Sequence, residues 1–519
     1  LTDFAVRTRG HFAGRDRLRN GPPSSDTSND GCLRVRVSAT PFSSVGQLRV
    51  IERMIDDQPE ALALRFARAC ALDDLGRTGE AVEAYLAVLR ADQRHFGALT
   101  NLGSIAFERH QMTVAFLCFR DALAVDPNDV MAHLNIARYY SERTAYSLAR
   151  AHYEFVLTAR PDDLHTCVYA NTGLARVAEA EGDAALAAVH RERAFAVPVF
   201  WEMPYRGSGD PLRVLVLTSP HGGDMVSNLF FDDRVVARMI AMPEAFAAGA
   251  PLPPHDLIFN GVGEPDATRT TLECAVTVVA ASRAPVINDP RAVLQTSRET
   301  VMQRLADLPG VIAPRTTRYA HADVSVERLL ADAYTFPLLV RAAGFHGGEH
   351  FSLVATPGDL APALAALPGD RVYTIAFADA RGDDGWVRKY RVAFIDGRCY
   401  PIHLALAKQW KVHYFSAAMS DHAEHRAEER QFLDAMESVL GERGMRALAD
   451  IARTLGLDYG GVDFGRTPSG DLIVFEANAT MAVYPPSDDP RWDYRRASVD
   501  RAVAAVRAMI AERALRRSA

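Results

Sequence analysis

Asp463, Glu476 and Asn478 are the residues of this 519-residue chain whose types and spacing most directly suggest chemistry. They lie in two strand-like stretches, Gly460–Arg466 and Leu472–Asn478, on either side of the turn dipeptide Ser469-Gly470. A hairpin centred on that dipeptide sets Asp463 directly across from Glu476, with both side chains on one face and Cβ atoms about 5 Å apart. Two facing carboxylates repel unless one takes a proton or a cation lies between them. Asn478, two residues beyond Glu476, points to the same side and adds a neutral oxygen. Such a set suits a hard cation such as Mg²⁺, which keeps positions open for phosphate oxygens. The lack of His and Cys argues against zinc. The competing reading is a solvated pair at a strand end. Against it, the run Leu472-Ile473-Val474-Phe475 is apolar on both faces, which places Glu476 at the end of a buried strand.

Cationic and glycine-rich segments add candidate anion contacts. Asp396-Gly397 signals a second hairpin between Tyr390–Ile395 and Cys399–Leu406. At the start of its first strand, Lys389 and Arg391 are two apart and share a face, which means either an anion between them or a solvated surface. The strand Phe336–Arg341 runs into Gly344-Phe345-His346-Gly347-Gly348, whose backbone amides can close over phosphates or simply make a turn. Trp410, Lys411 and His413 lie in the stretch His403–Phe432 and read equally as substrate contacts or packing. His346 and His413 are also candidate proton acceptors, with packing or substrate contact as the alternative.

The Asp, followed thirteen residues later by Glu-x-Asn, resembles the metal signature of ATP-grasp ligases such as the D-alanine–D-alanine ligases, bacterial glutathione synthetases and ribosomal-protein glutamate ligases. The resemblance spans about residues 210 to 485. It implies that Asp463, Glu476 and Asn478 hold two Mg²⁺ ions, with Mn²⁺ as a substitute. Arg298, sixteen residues before Pro314, and Arg341 stand where the family places phosphate-contacting lysines. Tyr373–Phe377 resembles the hinge strand, implying adenine contact at Ala376 and Phe377 and ribose contact at Asp379. The loop with His346, Gly347 and Gly348 would cover the phosphates, and Lys389 would join the nucleotide contacts. Arg341, Lys389 and Arg391 would stabilise the transferring phosphoryl group and an acyl phosphate. The departures are the two arginines in place of lysines, which offer a planar fork instead of a point charge. Gly461 also stands where an arginine is usual, so Arg391 is expected to supply that charge. The implied activity is an ATP-dependent carboxylate–amine ligase. Phosphotransfer on the same platform and a non-catalytic, nucleotide-binding adaptor are the alternatives.

The elements around these residues fall into different regimes. In the front half Ala81, Tyr85 and Val88 recur as Ala115, Phe119 and Ala122, then as Ala149, Tyr153 and Val156, a period of 34 residues. Asn101-Leu102-Gly103 through Pro127 is the best copy, and the pattern resembles the tetratricopeptide repeat over about residues 46 to 198. A further copy, around Gly182-Asp183 and Ala187–Pro198, is out of register and reads as a cap. The small residue lets two helices approach and the aromatic fills the groove beside it. Stacked copies leave a groove for a peptide or protein, or serve as a scaffold. Leu212–Leu217 and His255–Asn260 then read as strands, and Ala275–Val279 as a strand or a helix end.

The expected architecture is therefore multidomain. A disordered arm over 1–44 precedes an all-α tetratricopeptide-repeat solenoid over 45–200 and a linker over 201–211. An α/β pre-grasp subdomain over 212–290 and an α+β ATP-grasp domain over 291–519 follow, closed by an amphipathic helix with Val503, Val506 and Ile510. A net charge of −7 gives no reason to expect nucleic acid. No apolar run approaches the roughly 20 residues that span a bilayer, and no apolar signal core follows the N-terminal arginines. Six cysteines without a Cys-x-x-Cys pair point to reduced thiols and a cytoplasmic setting. The expected partners are a peptide or protein in the repeat groove and a small amino acid or carboxylate; an oligomer is compatible.

Overall fold

The computed structural model describes residues 44–108, 111–203, 205–220, 222–344, 350–412, 417, 419–487 and 489–515. The arm expected over 1–44 lies outside them except for Ser44. Contacts divide the chain into two compact units, one of residues 1–216 with 231–256 and one of 217–230 with 257–519.

The first unit opens with α1 (Ser44–Asp57), followed by four helical hairpins. These are α2 (Leu62–Asp74) with α3 (Thr78–Ala91), α4 (Phe96–Glu108) with α5 (Met112–Val125), α6 (Val130–Glu142) with α7 (Tyr146–Ala159), and α8 (Leu164–Ala180) with α9 (Ala184–Phe195). Their first helices begin at 62, 96, 130 and 164, the 34-residue interval read from the sequence. The out-of-register copy has a local cause. Helix α8 is 17 residues long where α4 and α6 have 13, so the extra turn displaces α9 by four positions. The recurring Ala–aromatic–aliphatic triplets are all buried. Asp129, Asp163 and Asp183 cap α6, α8 and α9 by accepting from Ala132, Thr166 and Leu186 N–H groups.

The same unit holds β1 (Phe200–Glu202), all but the last residue of β2 (Leu212–Leu217), β3 (Val236–Ala241) and the short α10 (Pro243–Phe246). Strand β1 lies in the stretch expected to be linker; it pairs antiparallel with β3 through Trp201 opposite Ile240. Arg206 donates to the carbonyls of Asp73 and Asp74 at the end of α2 and to the Asp233 carboxylate.

The second unit comprises β4 (Leu257–Asn260), α11 (Pro265–Ala280), β5 (Val286–Ile287), α12 (Pro290–Val293), α13 (Arg298–Leu305), β6 (Val311–Ile312), β7 (Thr316–Ala320), α14 (Val326–Ala331), β8 (Leu338–Ala342), β9 (Phe351–Val354), α15 (Leu360–Ala365), β10 (Arg371–Ala376), β11 (Val387–Ile395), β12 (Arg398–Ala407), α16 (Ala423–Asp434), α17 (Met436–Leu455), β13 (Tyr459–Arg466), β14 (Leu472–Asn478) and α18 (Arg496–Leu515). Ala275–Val279 thus belongs to a helix. One sheet, ordered β7-β10-β8-β9, is antiparallel. The other, ordered β12-β11-β13-β14-β6, is antiparallel except for the parallel β14–β6 pair. Asp396 and Gly397 both take positive φ (47° and 75°), which suits the tight turn joining β11 to β12.

The core of this unit follows from strand alternation. Tyr390, Val392 and Phe394 of β11, Leu404 and Leu406 of β12, and Val462 and Phe464 of β13 face α13, α16 and α17, where they meet Val301, Phe432, Leu448 and Ile451. The intervening residues are left on the opposite face. Val506 and Ile510 of α18 are buried, as the closing-helix pattern requires.

Two outcomes are expected for the repeats. A Cβ at Gly173 would lie 2.2 Å from the Cζ of buried Tyr153, so Gly173→Ala should cost about 1–3 kcal/mol through overpacking. Far-ultraviolet circular dichroism should then show an earlier loss of helix. Between α6 and α7, His133 Nδ1 lies 2.8 Å from His152 Nδ1. Burial, and then His133, push the His152 imidazole down to about 4. Between about pH 6.5 and 4 the unfolded chain therefore binds more protons than the folded repeats, so stability falls as the pH is lowered through that window. Melting curves across that window should show the fall, and His152→Gln should flatten it.

Candidate active site

Register builds the site from two rows of side chains. Across the five-stranded sheet, His403 of β12 lies opposite Arg391 of β11, Arg391 opposite Asp463 of β13, and Asp463 opposite Glu476 of β14. Across the four-stranded sheet, Arg318 of β7 faces Tyr373 of β10, Tyr373 faces Arg341 of β8, and Arg341 faces Phe351 of β9. Arg298 opens α13, which Ser297 caps by accepting from Thr300 N–H.

The Asp463–Glu476 pairing arises differently from the turn-centred count. Pairs next to the turn run Arg466–Leu472 and Phe464–Val474, which centres the hairpin on Ser469 alone. Gly470 takes φ 89° and donates its N–H to Thr467. A bulge at Phe475 then adds one residue to β14 and brings Glu476 opposite Asp463. A second bulge, on β12 at Ile402, brings His403 rather than Ile402 opposite Arg391.

Asp463 is 0% exposed, and both of its oxygens are bonded. Arg391 Nε donates to Oδ1 at 2.7 Å and Nη2 to Oδ2 at 2.9 Å, while Lys389 Nζ lies 2.6 Å from Oδ2. Burial drives this carboxyl up, but Arg391 and then Lys389 outweigh it and hold it well below the usual carboxylate range. Gly461 leaves no room for a side chain, since a Cβ there would lie 2.6 Å from the Val392 carbonyl oxygen. The guanidinium at Asp463 accordingly comes from the neighbouring strand.

Glu476 Oε1 accepts from Arg298 Nη2 at 2.7 Å and from Asn478 Nδ2 at 3.1 Å. Asn478 Oδ1 accepts from the N–H and hydroxyl of Thr480 at 3.0 and 3.2 Å. Arg341 is buried over the Phe351 ring at 5.2 Å. Burial first, then Arg298, push its guanidinium down to about 10. Four cations, Arg298, Arg341, Lys389 and Arg391, thus stand with Asp463 and Glu476, and Glu264 adds a third carboxylate to the field around Arg298 and Arg341. Such a surplus of cationic donors is suited to phosphate oxygens.

The other expected residues are more scattered. Trp410 meets Phe351 edge-on at 5.0 Å, and that ring lies under Arg341. Lys411 is exposed. Ala376 ends β10 and donates its N–H to the Arg315 carbonyl at 2.8 Å, and Phe377 is half-buried just beyond. Asp379 is exposed and bonds locally to Arg381. His346, Gly347, Gly348 and His413 lie outside the described residues.

Sequence reading missed His403, Asp266 and Arg318. Burial, then Arg391, keep the His403 imidazole well below its ordinary range and hence neutral. Asp266, in the first turn of α11, accepts from the Tyr373 hydroxyl at 2.6 Å and from Arg318 at 3.0 Å. A bulge hides His403 from residue counting, and only chain folding brings Asp266 to β7 and β10.

No protein-family model matches the chain, and no curated protein does. Among solved structures, the D-alanine–D-alanine ligase from Bacillus anthracis complexed with ATP is similar at 16% identity and a TM-score of 0.38, over 59% of this chain and 97% of that one. The VanG D-Ala:D-Ser ligase from Enterococcus faecalis is similar at 12% identity and a TM-score of 0.36, over 57% of this chain and 100% of that one. The ATP-grasp ligase PsnB, complexed with precursor peptide PsnA2 and AMPPNP, is similar at 15% identity and a TM-score of 0.35, over 59% and 99%.

Removing the Asp463 charge leaves the half-buried Arg391 and Lys389 without their shared, fully buried counter-ion. Asp463→Asn is therefore expected to destabilise the second unit by about 3–5 kcal/mol, measurable as an earlier denaturant-induced loss of tryptophan fluorescence.

Proposed function

We propose that the chain is an ATP-dependent carboxylate–amine ligase of ATP-grasp type, with residues 291–519 as its catalytic domain and 212–290 as the preceding subdomain. The observation that carries this reading is the gathering of Arg298, Arg341, Lys389 and Arg391 around Asp463 and Glu476. Four fixed cationic donors beside an acidic pair match what a nucleoside triphosphate and its divalent ion require.

The donor chemistry fits Mg²⁺, because Asp463, Glu476 and Asn478 offer only oxygen ligands. Asp463 is already tied through both oxygens to Arg391 and Lys389, so it would join Glu476 and Asn478 at the ion only by exchanging one of those contacts. Mg²⁺ held there supplies positive charge to the phosphate oxygens during phosphoryl transfer. Arg298 and Arg341 bind and orient the phosphates, and Arg391 and Lys389 hold the acyl-phosphate oxygens. A substrate carboxylate oxygen attacks the γ-phosphorus and ADP leaves. An amine nitrogen then attacks the acyl carbon, the C–O bond to phosphate breaks, and the amine loses a proton as the amide forms. No side-chain nucleophile takes part. The helical hairpins, read as tetratricopeptide repeats, are proposed to hold a peptide or protein substrate, because stacked hairpins of this kind offer extended binding surfaces.

The test is Mg²⁺-dependent nucleotide turnover by the unsubstituted chain and by Glu476→Ala, with pooled amino acids and short peptides. ADP and phosphate are expected from the former, stimulated by an acid–amine pair, and turnover should fall at least about 100-fold in the variant. Release of AMP and pyrophosphate would overturn the acyl-phosphate route. Nucleotide binding without turnover, under every acid–amine pair tried, would favour an adaptor.

A further inference from the structure

Outside the site just described, His422, Glu424 and His425 place three potential metal-ligand atoms within 4.8 Å of one another. His422 occupies the N-cap position of α16 without a side-chain cap bond, and the other two residues lie in its first turn. The imidazoles stack at 4.4 Å between centroids with 27° between planes, and His422 Nδ1 lies 2.9 Å from Glu424 Oε1. His425 is buried, whereas Glu424 is exposed and His422 half-exposed.

The surroundings hold this cluster in shape. Arg426 Nη1 donates to the carbonyls of Met419, Ser420 and His422 at 2.8, 2.8 and 3.2 Å, fixing the backbone that carries the first histidine. Trp386, just before β11, meets His425 edge-on at 4.4 Å and His422 at 5.6 Å, closing one side with an apolar wall. Two imidazoles and one carboxylate on a braced backbone form a set that suits a borderline divalent ion such as zinc, with water in a fourth position. The opposing field of the α16 N-terminus is countered by Glu424 itself.

We propose that His422, Glu424 and His425 form a binding site for a zinc-class divalent ion, separate from the oxygen-only set at Glu476. A bound ion would cross-link the segment before α16 to the first turn of that helix beside Trp386. Its consequence is structural: it would brace the N-terminal turn of α16 beside Trp386.

The test uses tag-free, metal-stripped full chain with Mg²⁺ in large excess and Co²⁺ as the probe. One Co²⁺ per chain is expected, with a visible absorption band that Zn²⁺ abolishes and with quenching of Trp386 fluorescence. His422→Gln and Glu424→Gln, both at solvent-accessible positions, should each weaken Co²⁺ binding by more than about tenfold. Trp386→Phe should lose the quenching and keep the absorption. Glu476→Ala should leave the Co²⁺ signal intact even if nucleotide turnover is lost, which keeps this site distinguishable from the proposed active site. No Co²⁺ signal at up to about millimolar concentration, or binding by the two glutamine variants as tight as by the unsubstituted chain, would overturn the proposal.

Discussion

A fully buried carboxylate in the middle of a sheet is the constraint on which the second unit depends. Asp463 has Arg391 on its flanking strand and Lys389 two residues away on the same face. Taking a carboxylate out of water costs several kcal/mol unless cations of good geometry replace the solvent, and here two do. Their demand shapes the neighbourhood. Gly461, facing Asn478 on the same side of β13, has no space for a side chain, and Gly465 would bring a Cβ within 2.7 Å of Ala380. Between Gly461 and Gly465 this face of the strand carries Asp463 alone, while Val462 and Phe464 turn into the core.

That alternation lets one sheet serve packing and chemistry together. Val392, Phe394, Val462 and Phe464 build the apolar layer against α17, while Lys389, Arg391, Asp463 and Glu476 are carried on the other side. The close packing of the first set limits the freedom of the second, because a β-strand cannot rotate one residue without its neighbours. Arg298 joins the cluster from a helix, and Arg341 from the other sheet. Asp266 ties the Arg318–Tyr373 pair in place from α11, so the donors are braced from behind as well as aligned along strands.

The repeats obey a different rule. The first three hairpins each bury an alanine, an aromatic and an aliphatic residue at the same spacing, and the glycines at 103 and 173 lie against the Phe119 and Tyr153 rings. Spacing alone sets these contacts, which is why the 34-residue period could be read directly and why four extra residues in α8 displaced the last helix.

The sequence by itself determined the features that depend on local repetition and on short-range alternation. These include the helical hairpins, the Asp396-Gly397 turn, the shared face of Lys389 and Arg391, and the candidacy of Asp463, Glu476 and Asn478. It placed Asp463 opposite Glu476 only because two offsets cancelled: a turn centred one half-step earlier than expected and a bulge at Phe475. Residue counting assumes an uninterrupted ladder, so the bulge at Ile402 hid His403 completely. Tertiary structure alone decided that Arg391 and Lys389 neutralise Asp463, that Arg298 reaches Glu476, and that Asp266 reaches Tyr373 across 107 positions. Those contacts join residues far apart in the chain, and their stability comes from removing paired charges from water, which no local pattern records.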